Sequence, residues 1–583
     1  MDGFDLVQFG IGGVQRFITE STTTADVANS SAIVQGLGAA VARDVQARLD
    51  SPFRVVFPRP EASRVGGVTN KIVFTSPAGA GAELARAAQD GAEALWEDIV
   101  RECFGEVVAT PGFPQLWWVS VTETGSDYGR AWARLSEASL ARRRSRVFTP
   151  VVSEQGWVCA QSPSLPAVNA PKRGVRAHER RARLSAVGWV KRTRDRGSGR
   201  VAVRSTASIA SGAFRIALLT DPPSGLAGQV AALREAVTRV SKPIAEAPLC
   251  AAPNELSALA TELGSWVYTS EWDLAGLRRE YGSHVTADMV AAGSAAAHAI
   301  AKSAAERGIA APTPYYAVVM QDIDRLGRAL GVLAGGEDGI GAHTRASEAL
   351  VELGRAQRAL IEAEPRHGVA VYTGGDDVLA FTSAASAIGL AARLRAVTRE
   401  HLEASVLRGV NGQEVTASAA VVFAHRELPL YSVLARARAA LHEAKTCRGV
   451  DGRDRDALAV VVLVRGGERA HTVQPWSNEP AALLARLGPG AGVVSAQLAT
   501  RFETDAAQLS ALAAEEKLSD FLDAEVARLV ARHGGHSVDA RALTRLARRE
   551  RGTGPGDAGV AGFRPVDALL VARFLATECG VVA

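Results

Sequence analysis

The sequence predicts an α/β (α+β) fold in which two ferredoxin-like units are separated by helical insertions and followed by a helical bundle. Two observations carry this. Residues 1–150 read strand, helix, strand, strand, helix, strand, the ferredoxin-like order, and residues 311–470 repeat that α/β alternation. Between and after these units, apolar residues recur at spacings of three and four, the period of a helix buried along one face. A chain of 583 residues holds about three to five domains.

In the first unit FDLVQFGI is a strand. The stretch from GGVQRF to VQARL is a helix broken near the run of threonines. FRVVFP and TNKIVF are strands, AELARAAQDGAEALWEDIV is a helix, and QLWWVSVT is a last strand. Gly12 and Gly13 ahead of a helix can host an anion at its N-terminus or ease a turn. Residues 151–205 form a basic segment with Lys172, Arg173, Arg176, Arg180, Arg181, Arg183, Lys191, Arg192, Arg194, Arg196 and Arg200, and two tryptophans, Trp157 and Trp189. It suits an RNA backbone, a docking protein or a solvated loop. Residues 206–310 read as helices such as GLAGQVAALREAVTRV and ADMVAAGSAAAHAIAKSAAERG. In 311–470 the strands are YYAVVMQD, VAVYT, VLAF, EVTASAAVVFA and, last, ALAVVVLV; a long helix ends at Lys445. Residues 471–583 read as helices, with RERGTGPGDAG a flexible break.

Bulk composition excludes some classes. Hydrophobic content of 47% and charged content of 22% are those of a globular protein. No apolar run approaches the roughly eighteen residues of a membrane-spanning helix, and the N-terminus has no basic leader, so a cytoplasmic protein with no membrane partner is expected. Five scattered cysteines make no CxxC and no disulfide framework. A net charge of +4 does not by itself imply nucleic-acid binding.

The chemistry is concentrated in two acidic stretches. YTGGDDVLAF reads as strand, glycines, strand, a hairpin with Asp376 and Asp377 at its tip. Adjacent carboxylates repel unless a cation lies between them, and the hard oxygen set points to Mg²⁺ or Mn²⁺. About fifty residues earlier, YYAVVMQDIDRLG ends a strand in Asp322-Ile323-Asp324. Residues i and i+2 of a strand share a face, so Asp322 and Asp324 can point the same way. Antiparallel pairing of the two strands is expected to set Asp322 beside Asp376. Gly374 and Gly375 would give phosphates room, and Lys445 would either clamp a triphosphate or cap its helix. The alternative is a tight turn with a solvated aspartate pair.

These letters resemble the large subunit of type III CRISPR effector complexes, in the Cmr (subtype B) branch. IGGVQRFITES is similar to the opening of that family's first Palm domain, and VGGVTNKIVF to its "PNK" strand. MQDIDRLG with YTGGDDVLAF, and TASAAVVFAHRELPLYSVLARARAALHEAK, are similar to the second, catalytic Palm. RLSAVGWVKR is similar to a segment that in relatives carries half a zinc knuckle. Here Cys159 is followed by Ser162, and Ser185 and Gly188 stand where a CxxC would be, so zinc is not expected. Relatives often begin with an HD nuclease; this sequence has no His-Asp dipeptide, and DNA cleavage is not expected from it.

The resemblance implies synthesis of cyclic oligoadenylate from ATP when target RNA is bound, within an assembly of Cmr-type subunits and a guide CRISPR RNA. It implies two nucleotide-cyclase-like Palm domains, the first non-catalytic. In that reading Asp376 and Asp377 are catalytic. Asp322, the Ile323 carbonyl, Asp376 and Asp377 hold the metal. Gly374, Gly375, Asp324 and Lys445 bind nucleotide. Two rivals stand beside it: a GGDEF-like dinucleotide cyclase, which leaves residues 1–200 without a place, and a catalytically silent scaffold, which has no need of converging carboxylates.

Overall fold

The computed structural model describes residues 3–58, 70–145, 156–176, 178–194, 202–410, 413–447, 454–486, 496–514, 518–533, 540–541, 543–544, 548–549, 562–563 and 565–579. Val65 to Thr69 of the VGGVTNKIVF stretch, Arg196 and Arg200 of the basic segment, and most of the RERGTGPGDAG break lie outside the described residues.

The first unit comprises β1 (Phe4–Gly12), α1 (Val14–Thr19), α2 (Thr24–Ala47), β2 (Val55–Phe57), β3 (Lys71–Pro77), α3 (Gly81–Phe104) and β4 (Gln115–Glu123). The sheet order β2-β3-β1-β4, with β1 antiparallel to both neighbours, is ferredoxin-like. The break at the threonines is a helix start: the Thr23 side chain accepts from Asp26 N–H while Asp26 returns to the Thr23 backbone, a capping box. β1 is buried at nearly every position because helices cover one face and α4 (Tyr128–Arg144) packs on the other.

The basic segment contributes α5 (Ala186–Thr193), whose Ser185 caps it by accepting from Gly188 N–H at 3.1 Å. Cys159 is buried against Leu184 and Trp189, so the region corresponding to the knuckle is closed by apolar packing. Farther on, α6 (Leu226–Val240) packs along α7 (Ala287–Glu306). The Trp272 ring fills the place of a side chain at Gly293, where a Cβ would lie 2.0 Å from it.

The second unit runs β5 (Tyr315–Ile323), α8 (Leu326–Ala334), α9 (Gly339–Ile361), β6 (Gly368–Thr373), β7 (Asp377–Ser383), α10 (Ala387–Glu403), β8 (Ala417–His425), α11 (Leu430–Thr446), β9 (Ala457–Val464) and β10 (Gly467–Pro475). Its order is β10-β9-β8-β5-β7-β6. The four strands β8-β5-β7-β6 repeat the ferredoxin-like order, and β9 extends the sheet by pairing parallel to β8. β8 is buried throughout: Ala420, Val422 and Ala424 meet α11 and the middle helices, while Ala419, Val421 and Phe423 meet α10 and the C-terminal helices.

The sequence stops the sheet at ALAVVVLV. The structure adds β10 as a hairpin partner of β9, so the sheet runs past the expected boundary at 470 to Pro475. Of the C-terminal helices, α12 (Ser519–Arg532) and α13 (Pro565–Glu578) are the longest described, and Phe574 on α13 packs edge-on to Tyr315. Contacts between the two units include the following. The Tyr128 hydroxyl bonds His343 Nδ1 at 2.9 Å, Gly129 lies against Gly335, and α11 reaches α1 through Arg438.

Candidate active site

The acidic stretches meet where β5 and β7 end. Their antiparallel register pairs Met320 with Leu379, Gln321 with Val378 and Asp322 with Asp377. The residue facing Asp322 is therefore Asp377, one place beyond the expected Asp376. The shift has a local cause: β7 already begins at Asp377, and Asp376 is the last residue of the loop. Ile323 N–H donates to the Asp376 carbonyl at 2.9 Å, and Gly374 N–H donates to the Asp377 carbonyl at 2.9 Å. Those bonds fasten the Ile323 backbone to the tip. The Asp376 carboxylate accepts from Asp377 N–H at 3.1 Å.

The two glycines differ. Gly375 has φ +86°, and a Cβ there would lie 2.1 Å from the Leu350 carbonyl oxygen of α9. Gly354 of α9 faces the tip in turn, its Cβ position 2.7 Å from the Thr373 carbonyl oxygen. Gly375 is thus required by helix packing, where the sequence assigned it to phosphate approach. Gly374 has the open side, its nearest neighbour being Asp376 Oδ1 at 3.2 Å.

Asp324 does not share the site. β5 ends at Ile323, so the alternation that would align residues 322 and 324 stops first. Asp324 is buried and accepts from Thr416 Oγ1 at 2.9 Å, Ser418 Oγ at 3.0 Å and Asp456 N–H at 3.2 Å. Burial raises its carboxyl, and those donors oppose the rise. It ties the β5 end to β8 and to the turn before β9.

The three remaining aspartates are crowded. Burial, then the charges of Asp376 and Asp322, push the Asp377 carboxyl well above the ordinary range; Lys445 and Arg438 oppose this. Asp376 is raised by burial and then by Asp322, against the pull of Lys71. Asp377 Oδ1 is buried with no hydrogen-bond partner. An orphaned carboxylate oxygen, mutual repulsion and an all-oxygen donor set fit a hard divalent cation. Asp322, Asp376 and Asp377, with the pinned Ile323 backbone, are the residues that would hold it. As the side chains stand, among the described residues no group of three His, Cys, Asp or Glu is placed to hold a metal ion, so these carboxylates would have to turn inward to take one. Asp322 is turned to Lys445, whose Nζ pairs with its Oδ1. A divalent ion therefore competes with that ammonium.

Two cations of this site were not singled out from the sequence. Arg438 stands on α11 two turns before Lys445. It donates to Thr19 Oγ1 and the Gln15 carbonyl, both at 3.0 Å, and its charge acts on Asp377 and Tyr372. The signal was its seven-residue spacing from Lys445, which puts both on one helix face. Lys71 at the start of β3 lies within electrostatic range of Asp376 and Asp377. Burial lowers its pKa first, Arg143 adds to that, and the two aspartates oppose it. Its sign was its place in the NK strand, which names a residue without saying what it faces.

The description "Cas10/Cmr2, second palm domain" belongs to the family model that matches residues 315–459, the span from β5 into β9 that carries all three aspartates and Lys445. Residues 315–459 are similar to the second palm domain of the Cas10/Cmr2 family. A curated relative, the CRISPR system Cmr subunit Cmr2 of Pyrococcus furiosus, is 28% identical over 197 residues, covering 30% of this chain and 21% of that protein. The match thus spans about a fifth of the relative's length. A chain of the type III-B Cmr-beta complex in its apo state has the same fold, with TM-score 0.63 at 14% identity, covering 98% of this chain and 81% of that one. The Cmr-beta complex bound to cognate target RNA gives TM-score 0.62 at 14% identity, over 97% and 82%. The chain is thus similar to Cas10/Cmr2 in sequence over residues 315–459, and it shares the fold of the Cmr-beta chains along its length.

Proposed function

We propose that this chain is the large subunit of a type III RNA-guided complex and that its second palm joins ATP into cyclic oligoadenylate by metal-assisted nucleotidyl transfer. The observation that carries the proposal is the pairing of Asp322 with Asp377 beside Asp376, leaving a buried carboxylate oxygen unpartnered. Mg²⁺ or Mn²⁺ held there would supply the charge that acidifies an attacking 3′-hydroxyl and steadies the departing pyrophosphate.

The chain's own residues do the rest. Lys445 holds Asp322 in place and, once released, neutralises triphosphate oxygens. Gly374 leaves the tip open to phosphates. Lys71 brings a first-palm cation toward the same carboxylates, so nucleotide bound there meets both palms. Arg438 bolts α11 to α1 and keeps the palms docked around it. Asp324 fixes the end of β5 and is not proposed to touch nucleotide.

The partners in this reading are the other subunits of a Cmr-type complex, a guide CRISPR RNA and the target RNA, and the setting is the cytoplasm. No described helix is long and apolar enough to cross a membrane. We assign no DNA-cleaving role to these residues.

The test is to incubate the assembled complex with ATP, Mg²⁺ and matching RNA and to analyse the products by mass. The expected product is cyclic oligoadenylate, absent for Asp376→Ala with Asp377→Ala although the complex still assembles. Oligonucleotide made by that double variant would refute the assignment. A preference for GTP with a cyclic dinucleotide product would favour the GGDEF-like rival.

A further inference from the structure

The segment between the first palm and the middle helices carries cations that the candidate site does not use. Two of its basic residues face inward. Lys191 is 2% exposed and donates to the carbonyls of Phe17 at 2.9 Å and Glu20 at 2.5 Å. Arg192 grips Asp26 through two bonds of 2.7 Å. Arg194 pairs with Glu102 at 3.2 Å. These three are engaged within the fold, so not every cation of the basic segment is open to an RNA backbone.

The rest face water. Lys172, Arg173, Arg176, Arg180, Arg181 and Arg183 are all exposed, and among the described residues none of them is in an ion pair. The one acid in this stretch, Glu179, is buried. One of its oxygens lies 3.6 Å from Arg192, and the other accepts from Arg176 N–H at 3.0 Å. From Lys172 to Arg183 the acid is turned inward and the cations outward.

An aromatic ring lies at the edge of this surface. Trp157 is 45% exposed although its backbone is fixed, its carbonyl accepting from Ala167 N–H at 2.9 Å. The Arg183 guanidinium lies over the ring, 3.1 Å from its centre. Rigid aromatic and guanidinium planes beside a basic track are the elements of single-stranded nucleic-acid binding, phosphates on the forks and a base on the plane. An acidic protein surface is met as well by lysine and needs no exposed tryptophan. Five of the six cations here are arginine.

We propose that this surface binds single-stranded RNA, with phosphates on Arg173, Arg176, Arg180 and Arg181 and a base stacked at Trp157. The proposal rests on the RNA-guided part of the reading above and names where RNA lies. It is tested without nucleotide turnover, so either can fail alone.

The probe is a fluorescent single-stranded oligouridylate of about 20 nucleotides, longer than one such groove tracks. Its anisotropy is titrated with the full chain over a series of salt concentrations. Arg180→Glu with Arg181→Glu is expected to weaken binding at least about tenfold and to flatten the log–log salt slope by about 1.4, two single-strand phosphate contacts. Trp157→Ala is expected to weaken binding about five- to a hundredfold with the slope unchanged. Arg528→Glu, an exposed arginine on α12, controls for a charge reversal away from this surface and should bind as wild type. Unchanged affinity in the first two variants, or an equal loss in Arg528→Glu, overturns the proposal. So does unchanged RNA affinity in variants that no longer assemble with other subunits, since the surface would then dock protein.

Discussion

Asp377→Asn separates the cost of the acidic tip from its use. In an antiparallel ladder, opposed residues lie about 5 Å apart, and two full charges at that distance in an effective dielectric of about 20 repel by about 3 kcal/mol. Asp377 faces Asp322 and adjoins Asp376, while Lys445 and Arg438 offset part of the repulsion and the side chains are only half-buried. A residual destabilisation of about 1–2 kcal/mol is left. Asn keeps the shape and removes the charge. In EDTA at pH 8 the variant should therefore unfold about 2–8 °C higher than wild type by near-ultraviolet circular dichroism. The sign follows from linkage. The folded-state carboxyl is raised above its ordinary value near 3.8, so the folded protein keeps a proton that the unfolded chain gives up. Wild-type stability falls as pH rises through that window, and the advantage of the variant vanishes near pH 4. Adding Mg²⁺ should raise the wild-type midpoint by mass action and leave the variant nearly where it was. An Asn variant less stable than wild type in EDTA, or equal Mg²⁺ gains for both, would refute the reasoning.

Further outcomes follow from the same geometry. Lys445→Ala removes a charge-assisted partner worth about 2 kcal/mol, so kcat/KM for ATP should fall about 30-fold in steady-state assays, with partial recovery in Lys445→Arg. Gly375→Ala meets both a left-handed φ and the Leu350 carbonyl, and should lower stability by roughly 3 kcal/mol or more in denaturant titration. Gly374→Ala, with its nearest neighbour at 3.2 Å, should leave stability nearly unchanged while slowing turnover. Burial lowers the pKa of His343, partly opposed by its bond to the Leu330 carbonyl, so the folded state favours neutral imidazole. Its contribution is intact above pH 6.5 and is lost as pH falls below it, by at most about 1.4 kcal/mol per pH unit. His343→Gln should flatten that part of the wild-type stability profile measured by thermal unfolding.

The strands that make the site are plain in the sequence because each is an apolar run with acid at the end nearest the site, YYAVVMQDI before Asp324 and DVLAF after the glycines and Asp376. The pairing was readable to within one residue. What fixed the last residue is the number of positions the loop takes, which depends on Gly375 fitting under Leu350, 25 residues earlier on a helix. Asp324 misled because the strand's end has no signature of its own. β10 was missed because GERAHTVQP is polar: it is an outer strand with only alternate residues buried. The basic segment read as uniform because inward lysine and outward arginine look alike until α5 turns Lys191 and Arg192 onto α1 and α2. Lys71 and Arg438 were beyond reach for another reason. Their partners belong to the other palm, and only docking of the two units brings residues 71 and 377, or 438 and 19, within range.

The central claim is that β5 and β7 bring Asp322, Asp376 and Asp377 together to hold a divalent ion beside a nucleotide. Anomalous diffraction from crystals grown with Mn²⁺ and a non-hydrolysable ATP analogue reads it directly. The account predicts a manganese peak within about 2.5 Å of carboxylate oxygens from both strands, with Lys445 moved from Asp322 onto phosphate. Manganese bound elsewhere, with Lys445 still on Asp322 and the analogue away from Gly374, would contradict it.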